Sequence, residues 1–535
     1  MGVKNRKLRN KVYNSQSKKG VESVPLSGAV LSASAPSIGI VGWNSPRFWD
    51  SHSQFIESLK NVITSRGGKP LFLGISGGSD FFTFGASNGN KLPFAGHSSF
   101  YPPSHYRLPS RDIVADQIEI MIHEEALSGL VMVPWSVSSL VGMMMGVVRC
   151  GVPAIFLPNY PCWLLPEEEK LYSRYSMLLL LEIFGLTKIG ALENFFVRGK
   201  EEEKSAGSGT LNEEFVKWGG QKIVEMVEQK ISPRRFFSQS AFENCLAIDL
   251  ALGGSTETIL HLGALAQEAA VSFPLSMING AAKKIPQLVA FNHFGELPLA
   301  EFSKSGGVAG LLGACAQFLG PCPTVGGKNI SDIAKASSTL KSSFKFNSTA
   351  EKGGSLGVLY GNLAREGALF RVSALKEQWF AGSRPVKVFN SEKSCSDAVL
   401  SKKVKKGDLL VVRYCGPKGS PGMPPLSDLE NAVKKNGLEG SVMILTDGRI
   451  SLSGKSPAIV HISSEAANGS TLSILQDGDV VQWNFFERSL NARLTETEIR
   501  VRLSRWKQQE RQIKNSYLYR YSKYSSSSAY GATLV

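Results

Sequence analysis

Gly129-Leu130-Val131-Met132-Val133-Pro134-Trp135-Ser136-Val137-Ser138-Ser139-Leu140-Val141-Gly142-Met143-Met144-Met145-Gly146-Val147-Val148-Arg149 is the stretch whose reading decides the fold. From Leu130 to Val148 it carries no charged side chain and is nominally long enough to cross a bilayer. Pro134, Gly142, Gly146 and the serines Ser136, Ser138 and Ser139 argue against a span. The reading is a buried strand, Gly129–Pro134, followed by a buried helix from about Ser138 to Arg149. Val152–Leu157 is the next apolar run and the next strand. Upstream, Ser110 is placed to cap a helix whose inner face is Val114, Ile118, Met121 and Ile122. Continuously apolar strands that alternate with helices predict a parallel sheet covered on both faces.

Outward from this unit, Ile38–Trp43 and Leu71–Ile75 read as further strands, and Phe55, Leu59, Val62 and Ile63 fall on one helical face between them. Lys200–Thr210 is charged and reads as a surface loop. Beyond Gln239 the pattern is helical, with Ser255 as a cap and Ile259, Leu262, Leu265, Ala266 and Ala269 along one side. The character changes from Gly353. Short strands Leu409–Tyr414, Val442–Thr446, Ile459–Ile462 and Val480–Asn484 are separated by Gly, Pro, Asp and Lys, as in a barrel or sandwich. Ser331–Gly354 is the expected linker. The expected organisation is a basic tail over 1–35, an α/β/α unit with a parallel sheet over 36–345, and a β-barrel unit over 355–535.

A length of 535 residues accommodates about two to four domains. The 42% hydrophobic and 20% charged content excludes a disordered, collagen-like or disulfide-scaffold chain. Lys and Arg number 60 against 45 Asp and Glu, a net +15 that favours anionic partners. The first twenty residues hold seven Lys/Arg and no acid, which suits a transit peptide, an anion-binding arm or a solvated extension. The seven cysteines have no CxxC spacing, so a reducing compartment is expected. That compartment is the cytoplasm, or a plastid or mitochondrion if the tail is a transit peptide. The seven histidines show no HxH or HExxH spacing, and His261, on an apolar helix, reads as a core residue. The chain lacks an interleaved aromatic and basic stretch, so neither nucleic acid nor a membrane is an expected partner.

Three glycine-rich segments can be turns or anion cradles: Gly74-Ile75-Ser76-Gly77-Gly78-Ser79-Asp80, Leu252-Gly253-Gly254-Ser255-Thr256 and Gly416-Pro417-Lys418-Gly419-Ser420-Pro421-Gly422-Met423. None matches a Walker or dinucleotide fingerprint. Asp447-Gly448-Arg449-Ile450-Ser451 follows a strand, where loops carry function, and Ser451 there is a nucleophile, a base or a turn residue.

Together with Leu108-Pro109-Ser110-Arg111-Asp112, Gly142-Met143-Met144-Met145, Gly361-Asn362-Leu363-Ala364 and Arg413-Tyr414, these segments resemble the dihydroxy-acid dehydratase / 6-phosphogluconate dehydratase family over most of the chain from about Ile38. The resemblance implies a homodimer with its active site between the two units. It implies a hydro-lyase of branched-chain amino-acid biosynthesis or sugar-acid dehydration. In that chemistry an iron–sulfur cluster acts as Lewis acid on the leaving hydroxyl, magnesium holds the carboxylate end and a serine alkoxide takes a proton. At the family's cluster-cysteine positions this chain has Trp49, Ser136 and, near the third, Glu168. Of the metal-ligand positions Asp80 is kept, Val137 and Ser138 stand for an Asp-Lys pair, and Pro425 stands for a glutamate. Ser451 keeps the position of the base, and Cys150 and Cys162 flank the region away from any ligand position. The expectation is a member without the cluster-dependent activity. Asp80, Gly253, Gly254, Ser255, Lys418, Arg449 and Ser451 would then serve a small carboxylate or sugar acid. The alternative is an active hydro-lyase with an altered metal site and Ser451 as base.

Overall fold

The computed structural model describes residues 35–43, 49–77, 102, 104–158, 172–192, 213–288, 299–340, 342–346, 355–372, 377–450, 456–508 and 516–535. Its first half comprises β1 (Ser37–Trp43), α1 (Trp49–Ser65), β2 (Lys69–Ile75), α2 (Ser104–Glu124), β3 (Gly129–Met132), α3 (Val137–Cys150) and β4 (Ala154–Phe156). Helices α4 (Tyr172–Ile183), α5 (Glu213–Glu228), α6 (Gln239–Ala251), α7 (Thr256–Ala269), α8 (Ser276–Ala282), α9 (Leu299–Lys304), α10 (Gly307–Ala314) and α11 (Ile330–Ser337) follow. The four strands are all parallel in the order β2-β1-β3-β4. Alternation along β3 sends Val131 and Val133 to one face, with Ile38, Leu59 and Ile223. Leu130 and Met132 go to the other, with Val114, Met144 and Ile118. Both faces are therefore covered by helices, as the continuous apolar strands predict.

The second half closes an eight-stranded barrel in the order β10-β6-β5-β12-β11-β7-β8-β9. Its strands are β5 (Leu356–Gly361), β6 (Ala364–Arg371), β7 (Ala381–Phe389), β8 (Leu409–Val412), β9 (Met443–Thr446), β10 (Ala458–Ser463), β11 (Val480–Asn484) and β12 (Ser489–Ala492). Helices α12 (Glu392–Leu400) and α13 (Ser427–Lys435) make the crossovers between the parallel pairs β7–β8 and β8–β9. Helices α14 (Glu496–Arg505) and α15 (Tyr517–Tyr524) precede the C-terminal segment.

Two expectations are corrected. Ser110 does not cap its helix, because α2 starts six residues earlier and the Ser110 hydroxyl donates to the Arg107 carbonyl instead. Pro109 lies inside α2 and has no N–H for the His105 carbonyl. That carbonyl is turned to the barrel, where a Cβ on Gly422 would sit 1.7 Å from it. The expected linker is also partly structured. Its first residues form α11, whose Ile330 and Ala334 are buried and which packs against α10. The tail up to residue 34 and the Lys200–Thr210 loop lie outside the described residues. No helix among the described residues is long and apolar enough to cross a membrane, and Leu130–Val148 is strand, connection and helix.

Candidate functional site at the junction of sheet and barrel

The C-terminal edge of a parallel sheet is where chain leaving the strands is free to carry function. Here Trp43, at the end of β1, stacks on Trp135, which follows β3, with ring centroids 6.0 Å apart and planes at 11°. Ser136 is the N-cap of α3: its hydroxyl accepts from Ser139 N–H at 2.9 Å, and Ser139 Oγ accepts from the N–H groups of Trp135 and Ser136. At the same edge of the sheet, Ser76 after β2 is fixed by Gln117, which donates to its carbonyl and accepts from its N–H. Gly142 packs on Arg111 and Val114, and Gly146 on Ile118. Helices α2 and α3 therefore run in the same direction, with both N-terminal ends at this edge.

From the barrel, the Pro421-Gly422-Met423 turn docks on α2, with the Pro421 carbonyl 2.7 Å from His105 Nδ1. Arg449 is buried; its Nε donates to the Met423 carbonyl at 2.6 Å and its Nη1 reaches Glu257 of α7 at 2.9 Å. Glu257 thus holds the segment leading to Ser451 across the junction. Pro425 pairs alongside Arg449 in an isolated parallel bridge. His261, one turn along α7, lies 3.4 Å from Arg111 Nη1 through Nδ1. Burial, with the Arg111 charge beside it, pulls His261 down to about 3. The neutral ring accepts at Nδ1, so its proton sits on Nε2, towards Glu257. Arg111 is wholly buried and donates to the carbonyls of Gly531 and Ala532 in the C-terminal segment at 2.9 and 3.1 Å. Asp112 accepts from Leu534 N–H.

Both glycine-rich loops of the junction are filled by carboxylates of the chain itself. Asp249 of α6 accepts from Ser255 N–H, and Gly254 N–H donates to the Asp249 carbonyl. Ser255 in turn caps α7 through Thr258 N–H. In the barrel Glu465 accepts from the N–H groups of Lys418 and Gly419, while Asp447 accepts from those of Tyr414, Cys415 and Ala466. Burial pushes Asp447 up to about 6 and Asp249 up to about 7. Burial, with Asp447 close by, pushes Glu465 up to about 8. A carboxyl whose folded value is raised above about 4.3 stabilises fully below that pH and loses the contribution as pH rises through the folded value. The stability of the protein is therefore expected to fall between pH 6.5 and 9. Glu465→Gln keeps an oxygen acceptor without the charge, and urea midpoints across that range should flatten in the variant; equal slopes in both proteins would refute the assignment. The neutral histidines His261 and His461 act in the opposite sense, and only below pH 6.5.

The profile described as the N-terminal part of dihydroxy-acid/6-phosphogluconate dehydratases matches residues 50–163 and 170–333, and the corresponding C-terminal profile matches residues 344–532. The chain belongs to the dihydroxy-acid/6-phosphogluconate dehydratase family. Among its relatives, the dihydroxy-acid dehydratase of Caldanaerobacter subterraneus subsp. tengcongensis is 30% identical over 515 residues, covering 89% of each chain. That of Methanococcus maripaludis is 31% identical over 513 residues, 89% of this chain and 90% of its own. That of Geobacter sp. is 32% identical over 514 residues, 90% of this chain and 89% of its own.

For a member of the dehydratase family the test is whether the residues present fit an iron–sulfur cluster and a divalent metal. Thiolates are the ligand form of cysteine, and burial opposes them. Burial pushes Cys150 up to about 11, Cys315 and Cys395 to about 12, and Cys245 and Cys415 well above the usual range. No three His, Cys, Asp or Glu side chains among the described residues gather where they could hold a metal ion. The described residues thus gather no such ligand set, and Asp80, Cys162 and Glu168 lie outside them.

Of the residues singled out from the sequence, the structure brings Arg449 and Pro425 together and places Gly253, Gly254 and Ser255 at the start of α7. Ser136, Val137 and Ser138 open α3 at the sheet edge, with Ser138 buried. Lys418 rides on the Glu465 loop. Trp49 opens α1, with its side chain outside the described residues. Asp80, Cys162, Glu168 and Ser451 lie outside them altogether. Sequence reasoning missed Glu257, Asp249, Glu465 and Gln117. The first two flank a quoted glycine motif by one and three residues, but their charge gave no sign of a partner elsewhere in the chain.

Proposed function

We propose that this chain is a dihydroxy-acid-dehydratase-like protein, with units over 36–345 and 355–535, that has lost the cluster-dependent dehydration. It retains binding of a small hydroxy-carboxylate or sugar-acid anion at the junction through the Lys418 side chain and Ser451, since Glu465 takes the backbone donors of the Gly416–Met423 loop and Glu257 takes Arg449. The observation that carries this reading is Ser136. At a position where the resemblance calls for a thiolate, its oxygen and its backbone N–H are both engaged in the start of α3. Removing water from a dihydroxy acid needs a cation on the leaving hydroxyl, and a serine alkoxide needs one to depress its pKa. Support also comes from Trp49, Val137, Ser138, Glu168 and Pro425, none of which supplies the ligand that the resemblance requires there. The protein is further proposed to be a homodimer, as the resemblance implies.

Anaerobic purification followed by iron, acid-labile sulfide and visible absorption tests the reading. The expected sample is folded, colourless and free of stoichiometric iron, with no dehydration of dihydroxy or sugar acids. Stoichiometric iron and sulfide together with turnover would overturn it and reinstate a hydro-lyase with Ser451 as base.

A further inference from the structure

The ends of β8 and β9 opposite the candidate site carry a charge concentration that is scattered in the sequence. Because α12 and α13 are crossovers between parallel strands, both helices end at the rim where β8 and β9 begin. The chain leaving α12 bears Lys402, Lys403, Lys405 and Lys406, and the last turn of α13 bears Lys434 and Lys435, all six exposed. The two loops are tied together at this rim by Gly407 N–H donating to the Ser441 carbonyl at 2.7 Å and by Met443 N–H donating to that of Asp408. Asp408 does not neutralise the six, since its carboxylate is engaged by Lys387 at 2.6 Å. Lys402 has φ +60°, the left-handed position after a helix that usually falls to glycine or asparagine.

The same rim carries aromatic surface. Val386 of β7 lies opposite Leu409, so Ala381–Pro385 overhang the start of β8 by about 16 Å at roughly 3.3 Å per residue. Arg384, within that overhang, donates from Nη1 to the Gly407 carbonyl at 2.7 Å and lies over the Trp379 ring. At its far end Phe380 stacks on Phe486, centroids 5.3 Å apart, and Phe486 is 66% exposed. The fold thus lays lysines, an arginine and an exposed aromatic face along one edge, the combination absent from any contiguous stretch of sequence.

We propose that this rim binds the phosphodiester backbone of single-stranded nucleic acid. Lysine ammonium groups are non-directional charges that track phosphates without reading sequence, and an exposed ring offers a surface on which any base can stack. No recognition helix or base-reading element is required.

The test is anisotropy of a fluorescent 12-nucleotide oligo-dT and its RNA equivalent with the full-length protein, from 50 to 300 mM salt. Binding is expected for both, without sequence preference, weakening steeply with salt at a slope of about 0.7 per phosphate contact. Lys402→Glu/Lys403→Glu/Lys406→Glu is expected to weaken it at least tenfold with an unchanged melting temperature, and Phe486→Ala severalfold. A variant lacking residues 1–35 separates the rim from the basic tail and should keep most of the affinity. Absence of binding at 50 mM salt, full binding by the triple variant, or loss of binding on removal of the tail would each overturn the proposal. So would capture by phosphatidylserine vesicles without affinity for either oligonucleotide.

Discussion

Arg111→Met is expected to lower the folding stability of the protein by about 3–5 kcal/mol, the cost of breaking a buried, multiply bonded charged group by removing one partner. Methionine fills much of the space, so the loss reports the guanidinium rather than a cavity. Without it the Gly531 and Ala532 carbonyls lose their donor and the buried Asp112 carboxyl loses its cation. The wider consequence is detachment of the C-terminal segment from the first half of the chain. Tyr521 donates to the Ala532 carbonyl, Ser463 of the barrel bonds Ser528, and Gly531 packs against the backbone of Ala264 of α7. A chain ending before Ser525 should therefore be destabilised comparably, and combining truncation with Arg111→Met should add little, because both remove one interaction. Urea unfolding of the three variants measures this; a single-variant loss below 1 kcal/mol, or simple additivity, would show that the segment is not fastened by Arg111.

The second large effect is expected from Gly142→Ala. Alanine is ordinarily the better helix former by about 1 kcal/mol. At Gly142, however, the new Cβ would lie 2.3 Å from the Arg111 carbonyl and 2.8 Å from Val114 Cβ, in the contact between α2 and α3. The helices must separate, and overpacking of this kind costs about 3 kcal/mol. Gly280→Ala in α8 is the matched control, because nothing lies within 4 Å of its new Cβ. That variant should gain about 0.5–1 kcal/mol from propensity alone. Thermal unfolding of both distinguishes packing from propensity: similar shifts in the two variants would rule out a close helix contact at Gly142.

Much of the fold was legible because apolar runs are local. Gly129–Val133 had to be buried on both faces, and the short strands after Gly353 had to find partners, whichever these were. Ser255 declared a helix start, since a cap is made within three residues. The start of α2 was not legible. Ser110 reads as its cap, and only the barrel turn at Gly422, more than 300 residues away in sequence, shows why the His105 carbonyl can do without a helical donor. The candidate site was half legible for the same reason. Glycine-rich loops announce available N–H donors, but Asp249 and Glu465, which take those donors up, are recognised only once the chain has folded.

The sequence by itself determined the architecture and the family, because periodicity, motif order and identity are properties of the chain. Tertiary structure alone decided which charges meet. Glu257 with Arg449, Arg111 with the C-terminal segment, and six lysines on one rim are separated by tens to hundreds of residues. Burial, which removes water as the competing partner, is what makes the first two of these pairings matter.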